Sequence, residues 1–320
     1  MRFIIYGAGA VGGVIGARLF QSGHDVVLIA RGAHLAAIVA RGLTLESPIE
    51  TVTLPIPAVG SPGEISFRSG DVVFLAMKTN DTEAAVAALV AAAGPEIPVI
   101  CTQNGVESER IAARRLRNVY ATPVRLPATH LEPGVVQANS ATYSGVLDIG
   151  RYPRGEDALC TEIAAALEAS NFSARAEADV MRHKYTKLLV MNLGNAIEAI
   201  TTERSASLVR SAQAEAVACY QAAGIDYASE AEDAARRGDL IQVRPIGDAR
   251  RAGGSTWQSL TRGKREVEVD DLNGEIVLLG RLHGIPTPVN DMLQRTANEL
   301  AASGRPPGSV TIAELEAAVA

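Results

Sequence analysis

The chain has 320 residues, enough to bury a large core and, on length, to form two domains rather than one. Apolar residues make up 47% and charged residues 21%, and 30 Lys plus Arg against 36 Asp plus Glu leave a net charge of −6; that balance argues against nucleic acid as a partner, since polyanion binders are usually basic. Cys101, Cys160 and Cys219 are odd in number, far apart and in no CxxC pair, so neither a disulfide framework nor a structural zinc is expected.

The chain opens directly on a strand-like run, without a charged n-region and apolar h-region, and nowhere reaches ~18 uninterrupted apolar residues. Neither export nor a membrane span is expected, and a reducing cytoplasm fits the cysteines. Short β-branched runs at Arg2 to Tyr6, Asp25 to Ile29, Asp71 to Ala76 and Pro98 to Thr102 alternate with Ala-rich helical stretches such as Glu83 to Ala93. That rhythm predicts a parallel α/β sheet. Val119 to Arg125, Gly134 to Ala138 and Gly145 to Ile149 read as further strands, partly antiparallel. From about Asp179 onward the strand signal disappears, apart from an irregular Gly- and charge-rich stretch at Arg237 to Gly254. The expected fold class is therefore α/β, with a doubly wound amino-terminal sheet over residues 1–178 and an all-helical second domain over 179–320.

Gly7, Gly9 and Gly12 form GxGxxG in "RFIIYGAGAVGG", after a strand and at the opening of a helix. The first glycine permits the tight turn, the second lets backbone approach a pyrophosphate, and the third lets helix pack on strand. The loop Gly7, Ala8, Gly9, Ala10, Val11 and Gly12 then faces the phosphates with the unpaired N–H groups of the helix start. A merely tight structural turn is the competing reading; position one of a βαβ unit favours a dinucleotide. The second strand carries no acid at its end to bind a ribose 2′-hydroxyl, and Arg31 stands just beyond it, where a guanidinium pairs with a 2′-phosphate. NADPH is thus expected over NADH, against the plainer reading of Arg31 as a solvated surface residue. Later strand ends deliver Lys78 and the Asn104-Gly105 pair toward the same crevice; each alone reads as a loop residue, but their successive placement favours ligand contacts.

At 100° per residue, Lys184, Lys187, Met191, Asn195 and Glu198 share a narrow wedge of the helix in "KYTKLLVMNLGN", opposite Leu189, Val190, Leu193, Ile197 and Ile200. An exposed polar face accounts equally well for Lys184 and Glu198. Further on, Ser255 follows a Gly pair, and Glu266, Glu268, Asp270 and Asp271 cluster near the start of a helix running to about His283. Carboxylates in a first helical turn complement the macrodipole, and one of them facing Lys187 would compensate a buried ammonium.

The blocks "GAGAVG", "AMKT", "QNG", "KYTKLLVMN", "STWQSL", "EVDDLNGEI" and "HGIPTPVN", in this order over nearly the whole chain, resemble the ketopantoate reductase (2-dehydropantoate 2-reductase) family. The resemblance implies a Rossmann domain, a helical domain similar to the C-terminal domain of 6-phosphogluconate dehydrogenase, and NADPH-dependent reduction of a 2-oxo acid, with ketopantoate the first candidate. It makes Lys187 the general acid and gives Glu268 the substrate hydroxyl or the cofactor, Ser255 the substrate carboxylate, Asn104 both ligands, and Lys78 and Arg31 the cofactor. Other readings are a reductase of a different 2-oxo acid and a non-catalytic NADPH-binding sensor. By analogy, helical second domains of this kind often dimerise.

Two departures touch the substrate side. The family's asparagine four residues after the lysine is here Met191, with Asn192 one further on, and the spacing from Ser255 to Glu268 is one residue longer. In a regular helix Asn192 lies roughly 140° around the axis from Lys187. A π-bulge between them brings Asn192 back beneath Lys187 as a substrate ligand, and Gly194 eases the distortion; a regular helix instead leaves Asn195 to face the substrate.

Overall fold

The structure, a computed structural model, describes residues 1–247 and 253–319. In chain order the first elements are β1 (Arg2–Tyr6), α1 (Ala10–Gln21), β2 (Asp25–Ile29), α2 (Gly32–Arg41), β3 (Leu43–Glu46), β4 (Thr51–Leu54), β5 (Ala58–Val59), β6 (Asp71–Leu75), α3 (Thr82–Ala93), β7 (Val99–Cys101), α4 (Glu107–Ala113) and β8 (Val119–Ala121). They are followed by β9 (Ala128–Thr129), β10 (Val135–Ala138), β11 (Gly145–Val146), β12 (Gly150–Arg151), α5 (Ala158–Glu168) and β13 (Phe172–Ser173). The main sheet has the order β12-β8-β7-β6-β1-β2-β5, parallel except for β12. The order reverses between β6 and β2 on either side of β1, the switch point where doubly wound sheets bind ligands.

Alternation along β1 explains the layering. Phe3 and Ile5 join Leu28, Phe74 and Ile100 in one core, while Ile4 and Tyr6 join Val73, Leu75, Val86 and Leu89 in another. A parallel sheet buried on both faces needs this continuous apolar character, and each fully buried large side chain is worth about 1.5 to 3 kcal/mol.

The strand starts at Arg2, Asp25 and Asp71 match the sequence reading, but the later strands are shorter. The run expected from Val119 to Arg125 ends at Ala121, and Arg125 makes only an isolated bridge to Val146. The run from Gly145 to Ile149 is two residues of strand paired with β13. A second sheet, β4-β3-β10-β9, was not expected. Its β10 packs so close to α1 that a Cβ on Gly13 would lie 2.6 Å from Val136 Cγ1.

The helical elements are α6 (Val180–Lys187), a π-turn over Leu188–Asn192, α7 (Asn195–Thr201), α8 (Ala206–Ala223), α9 (Glu230–Arg237), α10 (Ser255–Thr261), a 3-10 turn over Glu268–Asp271, α11 (Asn273–His283), α12 (Pro288–Ser303) and α13 (Ile312–Ala317). No strand occurs among the described residues of this stretch, though Val243 makes an isolated bridge to Ser140. The described residues divide into two compact units, 1–103, 107–181 and 234–247 in the first, 104–106, 182–233 and 253–319 in the second. Two local contacts account for the exchanged pieces. Arg236 pairs with buried Asp148 at 2.6 Å, and Gly105, at φ +75°, sits where a Cβ would be 2.7 Å from the Asp271 carbonyl. Of the irregular stretch expected at Arg237 to Gly254, residues 248–252 lie outside the described residues.

Candidate active site

In the first unit, three loops lie side by side at the carboxyl ends of β2, β1 and β6. Gly7 has φ +103°, and a Cβ there would meet Met77 N at 2.6 Å; one on Gly12 would meet the Gly7 carbonyl at 2.2 Å and Ala76 Cβ at 2.8 Å. Both positions are closed by backbone. Gly9 differs, since a Cβ there would meet no protein atom within 4 Å. Gly9 is also the N-cap of α1, whose start carries no side-chain cap and no acidic residue in its first turn. Open space over an uncapped helix start, with Ala10, Val11 and Gly12 in the first turn, fits a pyrophosphate. The residues present therefore fit a dinucleotide.

Arg31 is the N-cap residue of α2, its side chain 64% exposed, with Nη1 3.8 Å from Asp81 Oδ1. Asp81 belongs to a 3-10 turn, Thr79–Asp81, capped by half-buried Lys78. The Lys78 carbonyl accepts from Asp81 N at 2.9 Å. So the Arg31 and Lys78 loops meet through Asp81, on the two sides of the glycine loop. Sequence reasoning missed His34, one turn into α2. Its Nε2 lies 2.7 Å from the Ala8 carbonyl and its Nδ1 accepts from Gly134 N at 2.9 Å. These partners assign the Nε2–H tautomer. Burial holds its pKa below the usual imidazole value, with the Ala8 contact acting the other way. The one clue was a histidine three residues after Arg31.

The second unit gathers the other residues. Lys187 and Glu268 are 6% and 5% exposed, and the Lys187 ammonium donates to Asn104 Oδ1. That oxygen takes one of the three ammonium donors. Glu268 does not open a helix, as expected, but begins the 3-10 turn; Leu272, at φ −113° and ψ −87°, separates that turn from α11. Glu266 precedes the turn. Lys184 is 3% exposed, so it does not belong to a solvated face.

The widened turn expected between Lys187 and Asn192 is present. Leu193 N donates to the Leu188 carbonyl, five residues back, at 3.2 Å. Five residues then make roughly one turn, Met191 is turned out to 39% exposure, and Asn192 is buried at 4%. The buried Asn192 Oδ1 and Ser255 Oγ have no hydrogen-bond partner among the described residues. Such atoms cost free energy unless a ligand or water satisfies them. Asn195 reaches toward the same segment: its Oδ1 is 3.4 Å from where a Gly254 Cβ would stand, directly before Ser255.

The family model described as Ketopantoate reductase PanE/ApbA matches residues 3–154, and that described as Ketopantoate reductase PanE/ApbA C terminal matches residues 179–301. The chain is similar to a 2-dehydropantoate 2-reductase of Archaeoglobus fulgidus, 32% identical over 300 residues that cover 91% of this chain and 95% of that one. Another from Pyrococcus horikoshii is 25% identical over 305 residues, 92% and 95% of the two chains. Among solved structures, a PanE/ApbA family ketopantoate reductase from Ralstonia eutropha has a TM-score of 0.80 at 29% identity, covering 95% of this chain and all 100% of that one. D-mandelate dehydrogenase with NADH and anilino(oxo)acetate has a TM-score of 0.81 at 24% identity, covering 95% and 99%, a likeness of fold alone.

Proposed function

The chain belongs to the ketopantoate reductase PanE/ApbA family, and from that premise we propose that it reduces 2-dehydropantoate (ketopantoate) to pantoate with NADPH, residues 1–178 serving the cofactor and 179–320 the substrate. The observation that carries the reading is the buried Lys187 ammonium held on Asn104, in a unit that also buries Glu268 and the unpartnered Asn192 Oδ1 and Ser255 Oγ.

When bound, NADPH supplies the hydride to the ketone carbon. Lys187 protonates the ketone oxygen as charge develops on it, so one group supplies both charge stabilisation and the proton. Asn104 fixes the lysine head. Ser255 donates to the substrate carboxylate, Asn192 bonds the polar end of the substrate, and Glu268 accepts from the nascent hydroxyl. Arg31 and Lys78 hold the cofactor, with Arg31 on its 2′-phosphate. A cytoplasmic location is supported by three buried cysteines, none of them in a disulfide. A homodimer is supported by Leu278 and Leu282, exposed one turn apart on α11.

The test is NADPH oxidation against a panel of 2-oxo acids that includes ketopantoate. Preferential turnover of ketopantoate is expected. Turnover of another acid alone would move the substrate assignment, a reading favoured by the one-residue insertion at Met191. Tight NADPH binding without any turnover would make the protein a sensor.

A further inference from the structure

The π-turn creates a defect that a single side chain repairs. In a regular α-helix Leu193 N would donate to the Leu189 carbonyl; here it donates to Leu188 instead. The Leu189 carbonyl therefore loses its regular α-helical donor. Gln213, on α8 across from the turn, supplies one, its Nε2 lying 3.2 Å from that oxygen. One turn on, the wholly buried Asn273 of α11 donates to the Leu193 carbonyl at 3.3 Å, itself held by Asn290 Oδ1 at 2.9 Å. Both bonds stand within the second unit.

We propose that Gln213 is a positioning residue for the reductase reaction: by donating to the Leu189 carbonyl it holds the π-turn, and the π-turn sets Asn192 beside Lys187 with its Oδ1 ready for substrate. The inference rests on the proposed assignment of Asn192 as a substrate ligand. Without a donor at position 213 the Leu189 carbonyl lacks both its helical partner and its replacement, so the widened turn is no longer pinned to α8 and Asn192 is no longer held at its place in it.

Two variants separate this from a packing role. Gln213→Leu keeps the bulk and removes the donor. Gln213→Glu presents a carboxylate that cannot donate at neutral pH but can once protonated. Because misplacement of a reacting partner by about 1 Å can cost ~100-fold, Gln213→Leu is expected to lower kcat/KM for the 2-oxo acid by about ten- to a hundred-fold, with the NADPH KM unchanged. The loss should vanish in an Asn192→Ala background, where there is no ligand left to misplace. Relative to wild type, Gln213→Glu should regain activity as the pH falls. A merely structural glutamine would give additive losses and no such recovery, and either result overturns the proposal. A crystal structure of Gln213→Leu reads the position of Asn192 directly; Asn192 unmoved also overturns it. Absence of turnover in the wild type would instead count against the reductase reading, and the crystal structure would still decide the role of Gln213.

Discussion

Replacing Arg31 by alanine should separate the two nicotinamide cofactors. The guanidinium is solvent-exposed, and its ion pair with Asp81 is long, at 3.8 Å, with Asp81 itself 55% exposed. Exposed pairs of this kind contribute about 0 to 1 kcal/mol, so little holds Arg31 away from a 2′-phosphate. A charge-assisted contact to phosphate is worth about 1.5 to 3 kcal/mol. Subtracting the lost Asp81 pair leaves roughly 0.5 to 3 kcal/mol, or about two- to 150-fold in Kd. Titration of each cofactor by fluorescence should therefore show NADPH weakened by that factor in Arg31→Ala and NADH nearly unchanged. Asp81→Ala should move the other way, tightening NADPH by up to about five-fold, because the competing carboxylate is gone. Equal losses for both cofactors in Arg31→Ala would refute the assignment of Arg31 to the 2′-phosphate.

Lys187→Ala should lower kcat by about 10²- to 10⁴-fold while NADPH affinity, measured by titration, stays near normal. Gly9→Ala and Gly12→Ala should part company in paired melting and NADPH titrations. The first places its Cβ in open space and should lose dinucleotide binding at wild-type Tm; the second drives a Cβ into the Gly7 carbonyl and should lose about 1 to 3 kcal/mol of stability as well. Burial holds the His34 imidazole below its ordinary pKa of about 6.5, so the unfolded chain binds its proton first as the pH falls. Its stabilising share is complete above about 6.5 and is lost as the pH drops from there through the lower folded value. Protonation also replaces the acceptor that Gly134 N requires. Melting curves between pH 7 and 5 should show this decline in the wild type and a smaller one in His34→Gln.

The doubly wound sheet was legible because its central strands are continuous β-branched runs with abrupt polar or glycine ends, and the glycine loop because each glycine answers a local need. The four-stranded sheet was not. Its strands β3 and β4 do alternate, with Leu43 and Leu45 buried against half-buried Thr44 and Glu46, but each spans four residues. The strand β10 that pairs with β3 comes some ninety positions later, in register Val135 to Thr44. No local pattern carries that pairing. The same limit applies to Lys184. Helical periodicity put it on a polar stripe, and only its surroundings in the folded unit bury it.

The π-turn was legible as a spacing anomaly, and its persistence follows from magnitudes. An added residue in a helix either rotates everything beyond it by about 100° or is absorbed within one turn. Leu193, Ile197 and Ile200 lie beyond the insertion, and all are buried. Rotating them out of the core would cost about 1.5 to 3 kcal/mol for each. Absorbing the residue leaves one orphaned carbonyl, at about 1 to 3 kcal/mol if nothing bonds it, and Gln213 bonds it. The widened turn is therefore the cheaper outcome even before substrate binds. It also explains why the helix could accept Met191 at the position where the family has its asparagine. Absorbing the insertion there turns Met191 toward solvent and Asn192 inward, so the apolar face beyond it and a buried asparagine are retained together.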